Sequence, residues 1–552
     1  MSNIDDPYAA VEPTAIPDAL DRLFAPFNRG DAPGLMVGVA QNGRVVYRRG
    51  FGLSSVELGV ANTPTTRSRI GSTSKHFACL AALLLAEEGR LDIDSLLSSH
   101  FPELPVLEGE PTLRHLMTNT SGLRCYLSLG FLANGMAIRP QGAAMAMQLR
   151  QREANFAPGE RLMYNNSGFH LLSLIIERVS GMPFERFLKE RIFDPLGMID
   201  TASVPSDLEV HSRVAGLYLS QPDGGYRRGI FPTEEIKGEG GAISTVDDML
   251  LWLAHLRGAK RIGSDATWEQ MTSQVKLNSG CILNYGLGLL RHDYRGVEVI
   301  HHPGGVVGGS SQMLTVPSHR LDIIIIANSD TVGSIQLAWD VVDTVLGNAL
   351  GPHAATASSD QHKSLLGRRY FSASRQGFQF GFADLEGKLG LSIMNGQAWP
   401  LKADGDRVWL DALDNRGGGP YELVLPDTTQ AAPSTLMLSD GGEPHAFHLL
   451  PESPPSTREA GAYLVGHYRA NDLDADAEIQ IEGECLIMRI HGEFGTNVME
   501  LEAFSHDLFG WTPRGRPAEV GTLHVRRDGD KVTSLLIDTI RIRHLLVERL
   551  SD

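Results

Sequence analysis

The sequence predicts an α+β fold in several domains, on three observations. Strand-like hairpins stand at both ends of the first 350 residues with apolar helices between them. The remainder is strand-like, punctuated by glycine and poor in helical periodicity. A length of 552 residues also exceeds what one ordinary core organises. In chain order, Leu20, Leu23 and Phe24 mark an opening helix. "GLMVGVAQNGRVVYRRGFG" (34–52) then reads as two alternating runs around Asn42-Gly43, a dipeptide suited to a tight hairpin turn. Helical patterns cover 75–88, 168–180 and 246–257. "SSQMLTVPSHRLDIIIIANS" (310–329) is a second strand pair that turns at Pro317-Ser318. The two terminal hairpins are expected to share one antiparallel sheet.

Two low-complexity joints, "GPHAATASSDQHKS" (351–364) and "PESPPSTREAG" (451–461), show no periodicity and divide the chain into expected domains 1–350, 362–452 and 460–552. The two later segments echo each other. "GRRY" (367–370) precedes "LEGKLGLSI" (385–393), and "GHY" (466–468) precedes "IEGECLIMRI" (481–490). They read as a duplicated small antiparallel barrel, with convergence of two unrelated β modules as the alternative. Such modules suit either a homodimer interface or a wall of the functional site.

A net charge of -17, with no extended Lys/Arg run, argues against a nucleic-acid partner and against an anionic membrane surface. The opening "MSNIDDPYAAVEPTAIPDALDRLF" lacks the basic start and apolar stretch of a secretory signal, so a cytoplasmic location is expected. No apolar run reaches the roughly 18 to 20 residues of a spanning helix. Cys79, Cys125, Cys281 and Cys485 form no C-x-x-C and are expected to be buried free thiols. HExxH, a phosphate loop and a G-x-S-x-G elbow are all absent from the sequence, which removes zincins, P-loop enzymes and typical α/β-hydrolases.

The chemistry gathers in three places. "GSTSKHFACLAALLLAEEG" (71–89) sets Ser72 at the first turn of an apolar helix with Lys75 three residues on, so both fall on one face. A serine hydroxyl is a weak nucleophile until a base takes its proton, and a lysine amine can supply that base. A second S-x-x-K, Ser273 to Lys276, has no apolar helix behind it and reads as coincidence. In "GERLMYNNSGFHLLSLIIERVSG" (159–181), Tyr164 suits a proton shuttle and Asn166 a substrate amide, although Asn166 and Ser167 equally suit a helix cap. "VIHHPGGVVGGSSQMLTV" (299–316) offers Gly304 and Gly305 for close backbone approach to a ligand. The Gly305 N–H could join that of Ser72 as an oxyanion hole, while His302 reads equally as an incidental polar residue of a glycine-rich hairpin.

Ser72-Thr73-Ser74-Lys75, Tyr164-Asn165-Asn166 and His302-Pro303-Gly304, in that order, resemble the three-motif signature of penicillin-recognising serine hydrolases. With H-x-G as the third motif, and with "TNTSGLRCY" and "GEGGAISTVDDMLLW" between motifs, the chain is similar to the branch holding class C β-lactamases, alkaline D-peptidases, D-aminopeptidases and related esterases. The resemblance covers about residues 15 to 350, and the two β modules resemble the barrels of D-aminopeptidases. It implies a β-lactamase-like catalytic domain, an acyl-enzyme and a small-molecule or short-peptide substrate, without a metal or organic cofactor. The leading expectation is a D-aminopeptidase or amidase acting on short D-amino-acid peptides, amides or esters; a carboxylesterase or β-lactamase-like hydrolase and a non-catalytic sensor of the same fold are the alternatives. It makes Ser72 the nucleophile, Lys75 and Tyr164 the proton-transfer pair, and Asn166 the holder of the acyl-side amide, with His302 beside the reacting centre. In D-aminopeptidases a loop of the last barrel offers an acid to the substrate amine. Its counterpart here, "GWTPRGRPAEVGTLHV" (510–525), looks shortened and holds Glu519 but also Arg514 and Arg516, which would favour an acidic substrate if they face inward.

Overall fold

The computed structural model describes residues 15–107, 109–372, 377–410, 421–426, 431–440, 442–515 and 519–550. The chain forms two compact units: 1–95, 169–275 and 284–353 make the first, and 96–168, 276–283 and 354–552 the second.

The first unit is built on a six-stranded antiparallel sheet. Its strands are β1 (Leu35–Gln41), β2 (Arg44–Phe51), β3 (Leu290–Tyr294), β4 (Val297–Val306), β5 (Gly309–Val316) and β6 (Leu321–Ala327), in the order β3-β4-β5-β6-β1-β2. The two terminal hairpins therefore share one sheet, joined where Leu35 pairs with Ala327 and Val39 with Ile323. Asn42 (φ 56°) and Gly43 (φ 80°) supply the left-handed residues that the β1–β2 turn requires. Every residue of β6 is buried, because the helices Val246–Arg257 and Ser334–Leu346 both pack on it. This is why "LDIIIIA" reads as a continuous apolar run rather than an alternating one. The helix Lys75–Glu87 is buried from Lys75 through Leu85, with the Phe77 ring edge-on to Phe193 and Trp252.

The second unit holds the short helices Leu113–Met117, Tyr126–Asn134 and Ala143–Leu149 and two large antiparallel sheets. One sheet has ten strands and is nearly closed into a barrel; the other is a closed eight-stranded barrel, sealed where Gly466–Ala470 pairs with Leu545–Arg549. Closure removes exposed strand edges. The echo in the sequence is structural: Arg369–Ser372, Phe378–Leu385 and Lys388–Ile393 run in the same succession as Gly466–Ala470, Ala475–Glu482 and Cys485–His491, with a left-handed glycine, Gly387 or Gly483, in the turn after the second strand of each. Leu129, Leu132, Ala133 and Met147 join the apolar core of the closed barrel, so part of the helical segment serves as its lining.

Neither joint is featureless. The first carries a 3-10 helix, Ser359–Leu365, and the second a helix, Thr457–Gly461, capped by the Ser456 hydroxyl; both are too short to show a period. Cys79 and Cys125 are buried thiols outside any disulfide, as expected, but Cys281 is exposed and Cys485 half-buried against Glu500, because both stand near turns at the surface. Among the described residues no helix is long and apolar enough to cross a membrane.

Candidate active site

In the first unit Ser72 lies in a 3-10 turn, Gly71–Ser74, immediately before the helix Lys75–Glu87 rather than inside it. The turn is tied down by its own small hydroxyls. Thr73 Oγ1 donates to the His302 carbonyl at 3.1 Å and meets Ser311 Oγ at 3.0 Å, while Ser311 Oγ donates to Ile70 O at 2.7 Å. Ser74 Oγ donates to Gly71 O at 2.6 Å and accepts from Ala242 N at 3.1 Å. The crowding of "STS" is thereby explained: Thr73 and Ser74 fix the backbone, leaving Ser72 half-exposed. Glycine is obligatory at two points of close approach. Gly71 has φ 53° and passes the Gly305 backbone, and a Cβ on Gly304 would overlap the Ile70 carbonyl.

Lys75 is fully buried. Its Nζ donates to Ser72 Oγ at 3.1 Å and to Glu239 O at 2.5 Å, and it lies 5.1 Å from the centroid of the Phe169 ring. The Lys75 nitrogen is thus within reach of the one half-exposed hydroxyl of the turn, and as a neutral amine it can take that hydroxyl's proton.

His302, on β4, is 1 % exposed. Its Nδ1 lies 2.7 Å from the Pro303 carbonyl, which can only accept, so Nδ1 carries the proton and Nε2 accepts from the Tyr285 hydroxyl at 3.2 Å. Burial, and secondarily the Lys75 charge, push its pKa down to about 3. The third motif therefore presents a neutral imidazole.

In the second unit the Tyr164 motif stands before the helix Asn166–Ser180. Capping falls to Asn165, whose Oδ1 accepts from Gly168 N at 3.2 Å and whose own N donates to Asn119 Oδ1 at 2.8 Å. Asn165 Nδ2 also donates to the Leu123 carbonyl. The expectation that Asn166 or Ser167 caps this helix gives way to that geometry. Ser167 Oγ bonds Arg124 O and Tyr126 N, each at 2.8 Å, and Asn166 Nδ2 lies 3.5 Å from Cys125 Sγ.

Glu519 is half-buried and accepts from Ser128 Oγ at 2.5 Å; burial raises its pKa, against the Arg541 charge and the bonds from Ser128 and Thr539. Arg514 is exposed and occupied by its own barrel, with Glu482 at 3.0 Å and Glu500 at 3.6 Å. Arg516 lies outside the described residues. The second S-x-x-K has no helical geometry: Ser273 is extended just past the helix Asp265–Thr272 and donates to Gln270 O.

Residues 20–345 match the family model described as Beta-lactamase. A D-aminopeptidase of Brucella anthropi is 27% identical over 483 residues, covering 85% of this chain and 84% of that protein. A D-aminopeptidase of Gluconobacter oxydans is 27% identical over 547 residues, covering 94% of this chain and 96% of its own. Among solved structures, the octameric penicillin-binding protein homologue from Pyrococcus abyssi shares the fold, with a TM-score of 0.53 and 24% identity, over 78% of this chain and 98% of that one.

Proposed function

The chain belongs to the Beta-lactamase family, and from that premise we propose that it is a serine hydrolase that cleaves short D-amino-acid peptides, amides or esters through an acyl-enzyme. The observation that carries the chemistry is the buried Lys75 amine 3.1 Å from the Ser72 hydroxyl. The substrate class is drawn from the D-aminopeptidases that match this chain nearly end to end. Ser72 attacks the carbonyl carbon while its proton passes to the Lys75 and Tyr164 pair. The tetrahedral oxyanion is held by the Ser72 and Gly305 amides, and collapse expels the leaving amine or alcohol with that proton. Water then attacks the ester and frees Ser72 by the same proton route. Asn166 receives the acyl-side amide and Glu519 pairs with the free amine, while Gly304, expected from the sequence to approach the substrate, instead lets β4 close on the Ile70 carbonyl beside the Ser72 turn. With Arg514 occupied by Glu482 and Glu500, a basic amine suits the loop better than an acidic substrate does. The cytoplasm is the proposed location.

Hydrolysis of paired D- and L-alanine p-nitroanilides by wild type and Ser72→Ala tests the reading. Release from the D-anilide, cut about a thousandfold or more in the variant, is the expected result. Release from the L-anilide alone, or release that survives Ser72→Ala, would overturn it.

A further inference from the structure

The closed barrel carries an arginine that none of the three motifs predicts. Arg541 stands in the turn between the strands Lys531–Thr539 and Leu545–Arg549, with its guanidinium carbon 5.1 Å from the centroid of the Tyr164 ring. The turn is held from several directions. Asn155 Nδ2 donates to Arg541 O at 3.0 Å, and Asn155 Oδ1 accepts from Arg543 N at 2.7 Å. Thr539 Oγ1 accepts from Arg541 N at 3.0 Å and Ile542 N at 3.1 Å. The buried Arg124 donates to the carbonyls of Arg543 and His544 at 3.0 and 3.2 Å. The cation is therefore delivered by a built loop, and the Glu519 carboxylate lies within electrostatic reach of it.

We propose that Arg541 is a positioning residue for the reaction: its guanidinium, laid against the face of Tyr164, fixes the ring and stabilises negative charge on the phenolic oxygen. The proposal rests on the reading of Tyr164 as a proton carrier. The third motif brings a neutral His302, so it adds no charge of its own, whereas a guanidinium stays charged at any working pH. Arg541 lies against the Tyr164 motif, whereas the described one of the two arginines the sequence singled out, Arg514, is occupied by Glu482 and Glu500.

The full-length protein is tested by the second-order rate at which a fluorophosphonate labels Ser72, a readout independent of the natural leaving group. Arg541→Ala is expected to label about 10- to 100-fold more slowly, and Arg541→Lys within about fivefold of wild type. Millimolar guanidinium should restore several-fold of the lost rate to Arg541→Ala and leave wild type unchanged. In a Tyr164→Phe background Arg541→Ala should add no further loss, because both act through one hydroxyl. The proposal is overturned if Arg541→Ala labels at the wild-type rate, if its loss resists guanidinium and is shared by Arg541→Lys, or if the two losses multiply. Slow labelling of Tyr164→Phe beside a normal Arg541→Ala sinks the role of Arg541 alone. Wild-type labelling of Tyr164→Phe sinks the reading of Tyr164 and this proposal with it.

Discussion

His302 is held neutral by its surroundings, and that has a consequence for stability. Its pKa of about 3 in the folded protein lies below the ordinary value of about 6.5, so the unfolded chain takes up the proton first as pH falls. Stability is whole above about pH 6.5 and is lost progressively towards pH 3. From this group alone the loss is about 2 kcal/mol by pH 5. Burial depresses His301, His76, His255, His362 and His524 in the same direction, so the wild-type slope sums over these histidines as well. Urea unfolding at about pH 7.5 and pH 5 should show His302→Gln losing about 2 kcal/mol less than wild type; equal losses would mean that His302 protonates in the fold without penalty. At this scale the sequence reveals groups whose spacing is local. Ser72 and Lys75 are legible because three residues bring them together. Glu239 and Tyr285 are not: one meets Lys75 through a backbone carbonyl, and the other is brought to His302 by the path of the intervening chain. Arg541 was hidden for the same reason, being one of many arginines until the barrel closes.

Among the elements, β4 and the Gly71–Ser74 turn form a tight joint, and the two β4 glycines make unequal demands. A Cβ at Gly304 meets the Ile70 carbonyl and Ser311 Oγ, whereas at Gly305 it meets nothing within 4 Å. Gly304→Ala is therefore expected to cost about 3 kcal/mol or more, since backbone cannot yield as a side chain can. Gly305→Ala should stay within about 1 kcal/mol of wild type. Thermal unfolding of the two variants side by side checks this, and a Gly304→Ala as stable as Gly305→Ala would show that β4 can retreat from the turn. The run "HHPGG" announced close backbone approach, but which glycine makes it depends on register: Gly304 pairs with Ser311, whose hydroxyl already occupies that side. Capping shows the same limit. Asn165, Asn166 and Ser167 all have the chemistry of a cap, and the start of the helix at Asn166 decides for Asn165.

For the whole molecule, alternating burial in barrel strands such as Ala475–Glu482 and Thr496–Ala503 made the β modules legible, whereas the shared sheet was legible from apolar runs such as β1 and β6 bounded by turn residues. The allegiance of residues 96–168 was not. The helix Tyr126–Asn134 is buried through nearly all its length, and an all-round apolar helix bears no mark of what covers it. In the structure its Leu129, Leu132 and Ala133 complete the core of a barrel built from residues more than 300 positions away. The buried Arg124 is satisfied from the same source, donating to Asp472 Oδ2 at 2.8 Å and to the carbonyls of the Arg541 turn. Breaking that pair by Arg124→Ala leaves a largely buried Asp472 carboxylate without its main cation, a loss of about 3 to 5 kcal/mol. Ending the chain before residue 460 removes more: the apolar face of Tyr126–Asn134, Met147 and the acceptors of Arg124 all lose their partners together. A chain so shortened is expected to aggregate or to bind a hydrophobic dye without a cooperative unfolding transition. If it instead unfolds cooperatively at the wild-type temperature, the helical segment packs adequately without the barrel. The barrel would then bear on Tyr164 through the Arg541 side chain laid on its ring, and not through the stability of the segment that carries Tyr164.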